Sequence, residues 1–458
     1  MITSEIKFSQ IEERMDAIFY KPEYIKAVNV LEKLNTYSGL NLVSFKELTK
    51  KVRKGIFYIL AEDYIDKGIP FIRVSNINDV FLNDSDLVYI SERKNKEEIK
   101  TCLSERDLVV SKSGTVGNVS IVTEDFSPCN ISQDVIGIKL REGVSPYYVC
   151  IFFWTKIGSI VLERGKSLAV QSHLNLDYLR DLKIPIPPPP FQSHIESLVK
   201  TAHEKRKKAQ NKLQEAEEIL EKELGWRELE LNHDRTFETS FSHLERRFNP
   251  EYFKPRYERI KELLLDKGAK PLSEAVKVIT KRANFRKTPD KIIKYVAIAD
   301  IDPESSQIIS HTEMAAYQAP SRATYEIKDG YILTATSGNS TGTKRHASCF
   351  VTRKENDFIC TNGLIPLQPN KDTESLYLLF YLKSPFFLEQ VKRELTGAAI
   401  PAISLEDLKQ VLIYLPSIKI QKEIARLIET ANQLRIDSRH LIEQSKREVE
   451  EMIEEGIH

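Results

Sequence analysis

Few residues in this chain have types and spacings suited to covalent chemistry. Asn249 to Tyr252, "NPEY", could grip an exocyclic amine with the Asn side chain and stack a flipped base on the tyrosine ring. That chemistry also needs a second proline and a Gly-rich cofactor turn in a βα unit. Neither is present, and the corresponding residues in the first half, Asp16 to Phe19, read "DAIF". A metal-dependent nuclease needs clustered carboxylates, and "TPDK" (Thr288 to Lys291) has no downstream acid-x-lysine partner. The five cysteines, Cys102, Cys129, Cys150, Cys349 and Cys360, form no C-x-x-C pair and are odd in number, so neither a disulfide framework nor a zinc site is signalled. A Ser-His-Asp set and a phosphate-binding P-loop are also lacking. The expectation is a chain with no catalytic residue, no metal and no cofactor of its own.

Binding chemistry is better represented. Net charge is only +1, so the global balance gives no reason to expect a polyanion, and local charge has to be read instead. Lys46 to Lys54, "KELTKKVRK", carries Lys50, Lys51, Arg53 and Lys54; Lys277 to Lys294 carries Lys281, Arg282, Arg286 and Lys287. Such clusters can neutralise phosphates, and the alternative is ordinary solvated surface charge. Donors and acceptors for base edges are offered by Arg73, Ser75 and Asn76, by Lys112, Ser113 and Asn118 in "SKSGTVGN", and by Gln171 and His173 in "VQSHLN". The second half offers Thr336, Ser337, Asn339, Lys344 and Arg345 in "TATSGNSTGTKR". Glycines in these loops permit close backbone approach to a partner, although Gly/Ser segments are also simply turns.

These candidates occur in pairs because the chain is a duplication. "IFYKPEYIK" (Ile18 to Lys26) recurs as "EYFKPRYER" (Glu251 to Arg259), and "PFIRVSNIN" (Pro70 to Asn78) as "KYVAIADID" (Lys294 to Asp302). "DLVVSKSG" (Asp107 to Gly114) recurs as "YILTATSG" (Tyr331 to Gly338), and "SLAVQSHLNLDYLRDLKIPIP" (Ser167 to Pro187) as "TGAAIPAISLEDLKQVLIYLP" (Thr396 to Pro416). Blocks in one order at nearly constant separation define two copies of a unit of about 230 residues. Each copy has a segment of short apolar runs broken by Gly, Asn and Ser, which reads as an α+β domain, then a proline boundary, then a long helical pattern. The boundaries are 1–187 and 226–416 for the mixed domains, and 188–225 and 417–458 for the helices.

The helices share a heptad seam. In the first, Ile195, Ala202 and Ala209 form a mostly small line and Val199, Arg206 and Leu213 the alternate line; in the second, the matching residues are Ile424, Ala431 and Ser438 with Ile428, Arg435 and Ile442. Small residues along one line let two backbones approach, so the helices are expected to pair as a coiled coil. The alternative is that each covers its own domain. Arg206 and Arg435 either snorkel to solvent or fix the register. Antiparallel pairing would relate the two domains by a pseudo-twofold axis and put a reading head at each end, which suits an extended two-fold partner such as duplex DNA. The rival reading is a scaffold whose heads bind protein. "MITSEIKFSQIEERMDA" has acids and no apolar core of signal-peptide length, and a cytoplasmic setting is expected.

The whole chain resembles the specificity subunit of type I restriction-modification systems. The residues that carry the resemblance are the duplication, the pair "DLVVSKSGTVG" and "YILTATSGNSTG", and the boundary residues Pro187, Gln192 and Ile195 with Pro416, Gln421 and Ile424. The resemblance implies two target-recognition domains that each read half of a bipartite double-stranded DNA site, and two antiparallel helices that set the spacing. It also implies two methyltransferase partner subunits carrying S-adenosylmethionine, restriction and translocase subunits bound through them, and no chemistry in this chain. The glycine loop of the second copy is rearranged to "SGNSTG", and Phe191 stands where an acidic residue often precedes the glutamine.

Overall fold

A computed structural model describes residues 11, 14, 16–37, 40–84, 86–167, 173–225, 236–238, 249–397 and 399–456. The chain divides into two compact units, Met1–Arg206 with Ile436–His458, and Lys207–Arg435. Both divisions fall inside the long helices, so each unit owns one mixed domain and half of each helix.

In the first unit a four-stranded antiparallel sheet is ordered Thr49–Lys54, Val135–Leu140, Leu108–Ser111, Val119–Ile121. Its central strands, "LVVS" and "VIGIKL", are almost wholly buried, as near-continuous β-branched runs require. A second sheet runs Tyr64–Ile65, Val88–Ile90, Ile69–Ile72, Asn130–Ile131, with a parallel pairing between the last two. The helix Pro146–Trp154 is apolar on all sides and buried, and is started by Ser145 as N-cap with proline at its first position. Strand Asn41–Ser44 pairs antiparallel with Lys183–Ile186, so the beginning of the domain is tied to the strand that leads into the long helix.

The second unit repeats this plan. Its antiparallel sheet is Val276–Val278, Leu364–Pro369, Ile332–Ala335, Ser348–Phe350, and Lys270–Pro271 pairs with Leu412–Ile413 ahead of the second long helix. The other sheet differs at its edges: Thr312–Ala315, Ile292–Val296, Ile359–Thr361, Ala323–Glu326, with a separate hairpin of Ile301–Asp302 and Gln307–Ile308.

The long helices span Pro189–Leu224 and Ile418–Glu455, 36 and 38 residues, or roughly 54 and 57 Å at 1.5 Å per residue. Within the first unit they run antiparallel. His194 meets Glu448 at 2.8 Å, the Ser438 hydroxyl donates to the Ala202 carbonyl at 2.8 Å, and Lys205 meets Asp437 at 3.0 Å, so contacts climb one helix while descending the other. A side chain on one helix reaching the backbone of the other requires close approach, which the small residues Ala202 and Ser438 allow. Ile195, Val199 and Ala202 join Ile442, Val449 and Ile453 in the first unit's core. Ala216, Leu220 and Leu224 join Ile424 and Ile428 in the second unit's core, with Leu213 packed against it. Ala209 and Ala431 are also buried.

Candidate nucleic-acid interface

Each mixed domain is fastened to its helix by the same set of bonds. Gln192 accepts from the Ser145 N–H at 2.9 Å and donates to the Pro187 carbonyl at 2.9 Å; Gln421 accepts from the Glu374 N–H at 2.9 Å and donates to the Pro416 carbonyl at 2.9 Å. Each glutamine thus satisfies backbone groups where the proline boundary interrupts regular pairing. The Tyr148 hydroxyl donates to the Pro185 carbonyl at 2.7 Å and the Tyr377 hydroxyl to the Tyr414 carbonyl at 2.5 Å, both from fully buried rings. The seam arginines take a third path. Arg206 pairs with Asp79 at 3.0 Å and lies over the Phe81 ring, and Arg435 donates to the Glu304 carbonyl at 2.8 Å. Both therefore hold a turn of the mixed domain.

Two further clasps belong to one unit each. Glu196 accepts from Arg106 at 2.6 Å, Ser145 at 2.7 Å and Lys200 at 2.7 Å; burial pushes its carboxyl up, and these donors outweigh that and hold it at about 2. The second copy has Ala425 at the matching place. There Lys383 instead holds the turn, donating to the Pro303 carbonyl and to Ser306 Oγ at 2.8 Å. Burial, with Arg435 nearby, lowers its ammonium to about 8.

The two loops that follow the matched strands are closed by different chemistry. In the first, Ser113 donates to Asp134, Ser111 Oγ accepts from the Asn118 N–H at 2.9 Å, and Gly117 sits at φ +93°. In the second, a buried His346 lies between its partners: Nδ1 accepts from the Gly342 N–H at 3.1 Å and Nε2 lies 2.8 Å from Thr334 Oγ1. Burial lowers this imidazole to about 4, with Lys383 adding to the effect, so it is neutral at pH 7. Gly342, at φ +73°, packs so close to the Lys392 backbone that a Cβ would lie 3.2 Å from it.

Several residues expected to face a nucleic acid also make bonds within the fold. Arg53 pairs with Asp107, itself 2% exposed, at 3.2 Å. Asn76 is buried, accepting from the Arg73 N–H at 2.9 Å and donating to the Asn83 carbonyl at 2.9 Å, while the Arg73 guanidinium bonds to the Asp86 carbonyl. Asn118 donates to the Ile77 carbonyl at 2.9 Å, and Ser113 is buried. Thr336 bonds the Gly363 carbonyl at 3.3 Å, and Arg286, exposed as a residue, donates to the Pro320 carbonyl at 2.8 Å. Polar loop residues close turns before they read partners, since buried backbone groups must be satisfied.

Lys50, Lys51, Lys54 and Ser75 are exposed in the first unit; Lys281, Arg282, Lys287, Asn339, Lys344 and Arg345 are exposed in the second. Lys112, His173 and Ser337 are half-buried. Gln171 lies outside the described residues. Lys50 and Lys51 border an open cleft with Arg180, and also with Asp177 and Asp181, whose charges partly offset the lysines.

Residues 37–218 and 276–451 match the family described as "Type I restriction modification DNA specificity domain". The chain belongs to this family. Each matched segment falls within one of the two duplicated copies and takes in most of a mixed domain and most of a long helix. Among curated proteins it is similar to the type I restriction enzyme EcoBI specificity subunit of Escherichia coli, 27% identical over 126 residues, or 27% of this chain and 26% of that protein. The match therefore spans about a quarter of that relative's length. Among solved structures it is similar to the type I restriction-modification S subunit from M. genitalium, with a TM-score of 0.45, 14% identity, and 93% and 98% of the two chains covered. It is also similar to the HsdS subunit from Thermoanaerobacter tengcongensis, with a TM-score of 0.28, 14% identity, and 92% and 96% covered.

The family is one of specificity subunits rather than enzymes, and the residues with catalytic potential have structural explanations. Asn249 caps the turn Pro250–Phe253 by accepting from the Glu251 N–H at 3.0 Å, as Asp16 caps Ala17–Tyr20 by accepting from the Phe19 N–H at 3.0 Å. The Asn of "NPEY" thus caps a short turn, as Asp16 does at the matching place in the first copy. Burial pushes the thiols of Cys129, Cys150 and Cys349 up, and that of Cys360 up to about 12, so none of these four is a ready nucleophile. His203 on the first long helix pairs with Asp125 at 3.1 Å, with Glu124 beside it. No described helix is long and apolar enough to cross a membrane.

Sequence reading missed the Glu196 clasp, the Asp79 and Glu304 partners of the seam arginines, and the His346 network. Only the last left a signal, a histidine amid an expanded Gly/Ser loop.

Proposed function

We propose that this chain is the DNA-reading subunit of a type I restriction-modification complex. Each mixed domain, 1–187 and 226–416, reads one half of a bipartite double-stranded site, and the helices 188–225 and 417–458 fix the spacer and dock two methyltransferase subunits. Restriction and translocase subunits join through these, and catalysis falls to the partners. The observation that carries this reading is that the two copies share the glutamine and tyrosine bonds of their helix joint while their outward loops differ. A device that reads two different half-sites at a fixed separation needs that combination. Exposed lysines and arginines in both copies support phosphate contact.

The test is to map methylated sites in cells expressing this chain with its methyltransferase subunits. A bipartite site with a constant spacer is expected; one continuous site would contradict the reading. Removing one heptad from each helix should shorten the spacer, and an unaltered spacer would show that the helices are not the ruler.

A further inference from the structure

The strand Thr49–Lys54 runs into an irregular segment that is anchored at Ile56 and continues with apolar residues. Ile56 is buried against Phe71 and Ile90, and its N–H donates to the Ile131 carbonyl at 2.8 Å. A Cβ on Gly55 would lie 1.9 Å from the Ser132 carbonyl oxygen, so the chain passes there only as glycine. The next two side chains are left to solvent: Phe57 is 85% exposed and Tyr58 69%. Phe57 is the most exposed large hydrophobic side chain among the described residues. Adjacent aromatic rings held out on a rigid base mark a binding surface rather than scattered surface hydrophobics.

The surroundings indicate the occupant. Lys54, exposed three residues before Phe57, and Lys50 and Lys51, exposed earlier on the same strand, put positive charge on the segment that leads to the rings, which suits a polyanion with apolar faces inside it. The second copy has exposed Lys281 and Arg282 in the corresponding stretch after Val276–Val278, and its nearest aromatic, Phe285, is half-buried under Arg286.

We propose that Phe57 and Tyr58 form an aromatic wedge that contacts bases of the first half-site, while the neighbouring lysines hold the flanking phosphates. This rests on the DNA-reading function proposed above and deepens it. Rings pressed into a base step partly unstack it, so the first half-site is selected in part by how easily that step opens. The second domain has no matching pair of adjacent exposed rings among the described residues and presents the single ring of Tyr317 instead.

The experiment uses the chain assembled with its methyltransferase subunits and a duplex carrying the mapped site, with 2-aminopurine placed in turn through each half-site. Apart from the target bases that the methyltransferase subunits take out of the stack, wild-type complex should raise the fluorescence at one further step, in the first half-site only. Phe57→Ala and Tyr58→Ala should abolish that rise and weaken specific binding about tenfold to a hundredfold. The slope of affinity against salt should stay unchanged, because the lysines remain. Phe57→Trp should retain the signal. Unchanged fluorescence and affinity in the double variant would overturn the wedge while leaving DNA reading intact. Loss of methyltransferase assembly with normal assembly-independent DNA binding would also overturn it, assigning the rings to a protein contact. Failure of the wild-type complex to prefer the mapped duplex over random duplex would instead overturn the DNA-reading function and the wedge with it.

Discussion

Tyr148 and Tyr377, and Gln192 and Gln421, occupy matched places in the two copies and make the same bonds at the joint, while the matched Arg206 and Arg435 reach different partners, the Asp79 carboxylate and the Glu304 carbonyl. A short distance along each chain the likeness ends. The first copy closes its strand loop through Ser113 and Asp134 and presents Phe57 and Tyr58; the second closes a longer loop around His346 and presents Lys281 and Arg282. The joint is buried and shared with the core, so a change there disturbs packing and backbone hydrogen bonds together. The loops are satisfied by their own local bonds, so their tips can diverge without weakening the domain beneath them. Sameness marks what holds the helices, and difference marks what meets a partner.

The largest expected effect is at the joint. Tyr148→Ala and Tyr377→Ala should each cost about 3–5 kcal/mol through the cavity and the lost buried bond, in near-equal measure. Hydrogen exchange resolved to each unit would check this, and a large inequality would break the equivalence of the two joints. Gln192→Leu and Gln421→Leu should each cost about 1–3 kcal/mol, since a buried backbone N–H loses its acceptor.

Acid should separate the copies. His346, at about 4 against an ordinary imidazole near 6.5, is protonated first in the unfolded chain. Its contribution is therefore full above about pH 6.5 and is lost as pH falls toward 4. Glu196, at about 2 against an ordinary 4.5, contributes above about pH 4.5 and loses that contribution as pH falls toward 2. Protection factors should fall in the loop around residues 335–346 before they fall around Glu196. His346→Asn should flatten the first change and Glu196→Gln the second. The smallest effect is expected from Arg435→Lys, which keeps the charge but loses guanidinium geometry at the Glu304 carbonyl; about 1 kcal/mol of local protection at residues 302–306 should be lost.

Much of the joint was legible in the sequence, because its signals are periodic or repeated. The seam residues stand at heptad spacing, and Pro187, Gln192 and Ile195 return as Pro416, Gln421 and Ile424. The outer surface was less legible. Asn76 and Asn118 have the composition of base readers, yet their amides close turns whose need appears only when the backbone is placed. Arg53 stands in a basic run and faces Asp107, a pairing between distant positions that no local pattern encodes. Phe57 and Tyr58 sit in "IFYIL", an unbroken apolar run of which only Ile56 is buried.

The central claim is that each mixed domain reads its own half-site and the shared joint carries no sequence information. The most direct test replaces residues 1–187 with the equivalent segment of another family member and maps the methylated sites of the hybrid complex. The account predicts a new first half-site, with the second half-site and the spacer unchanged. A change in both half-sites, or in neither, would contradict it.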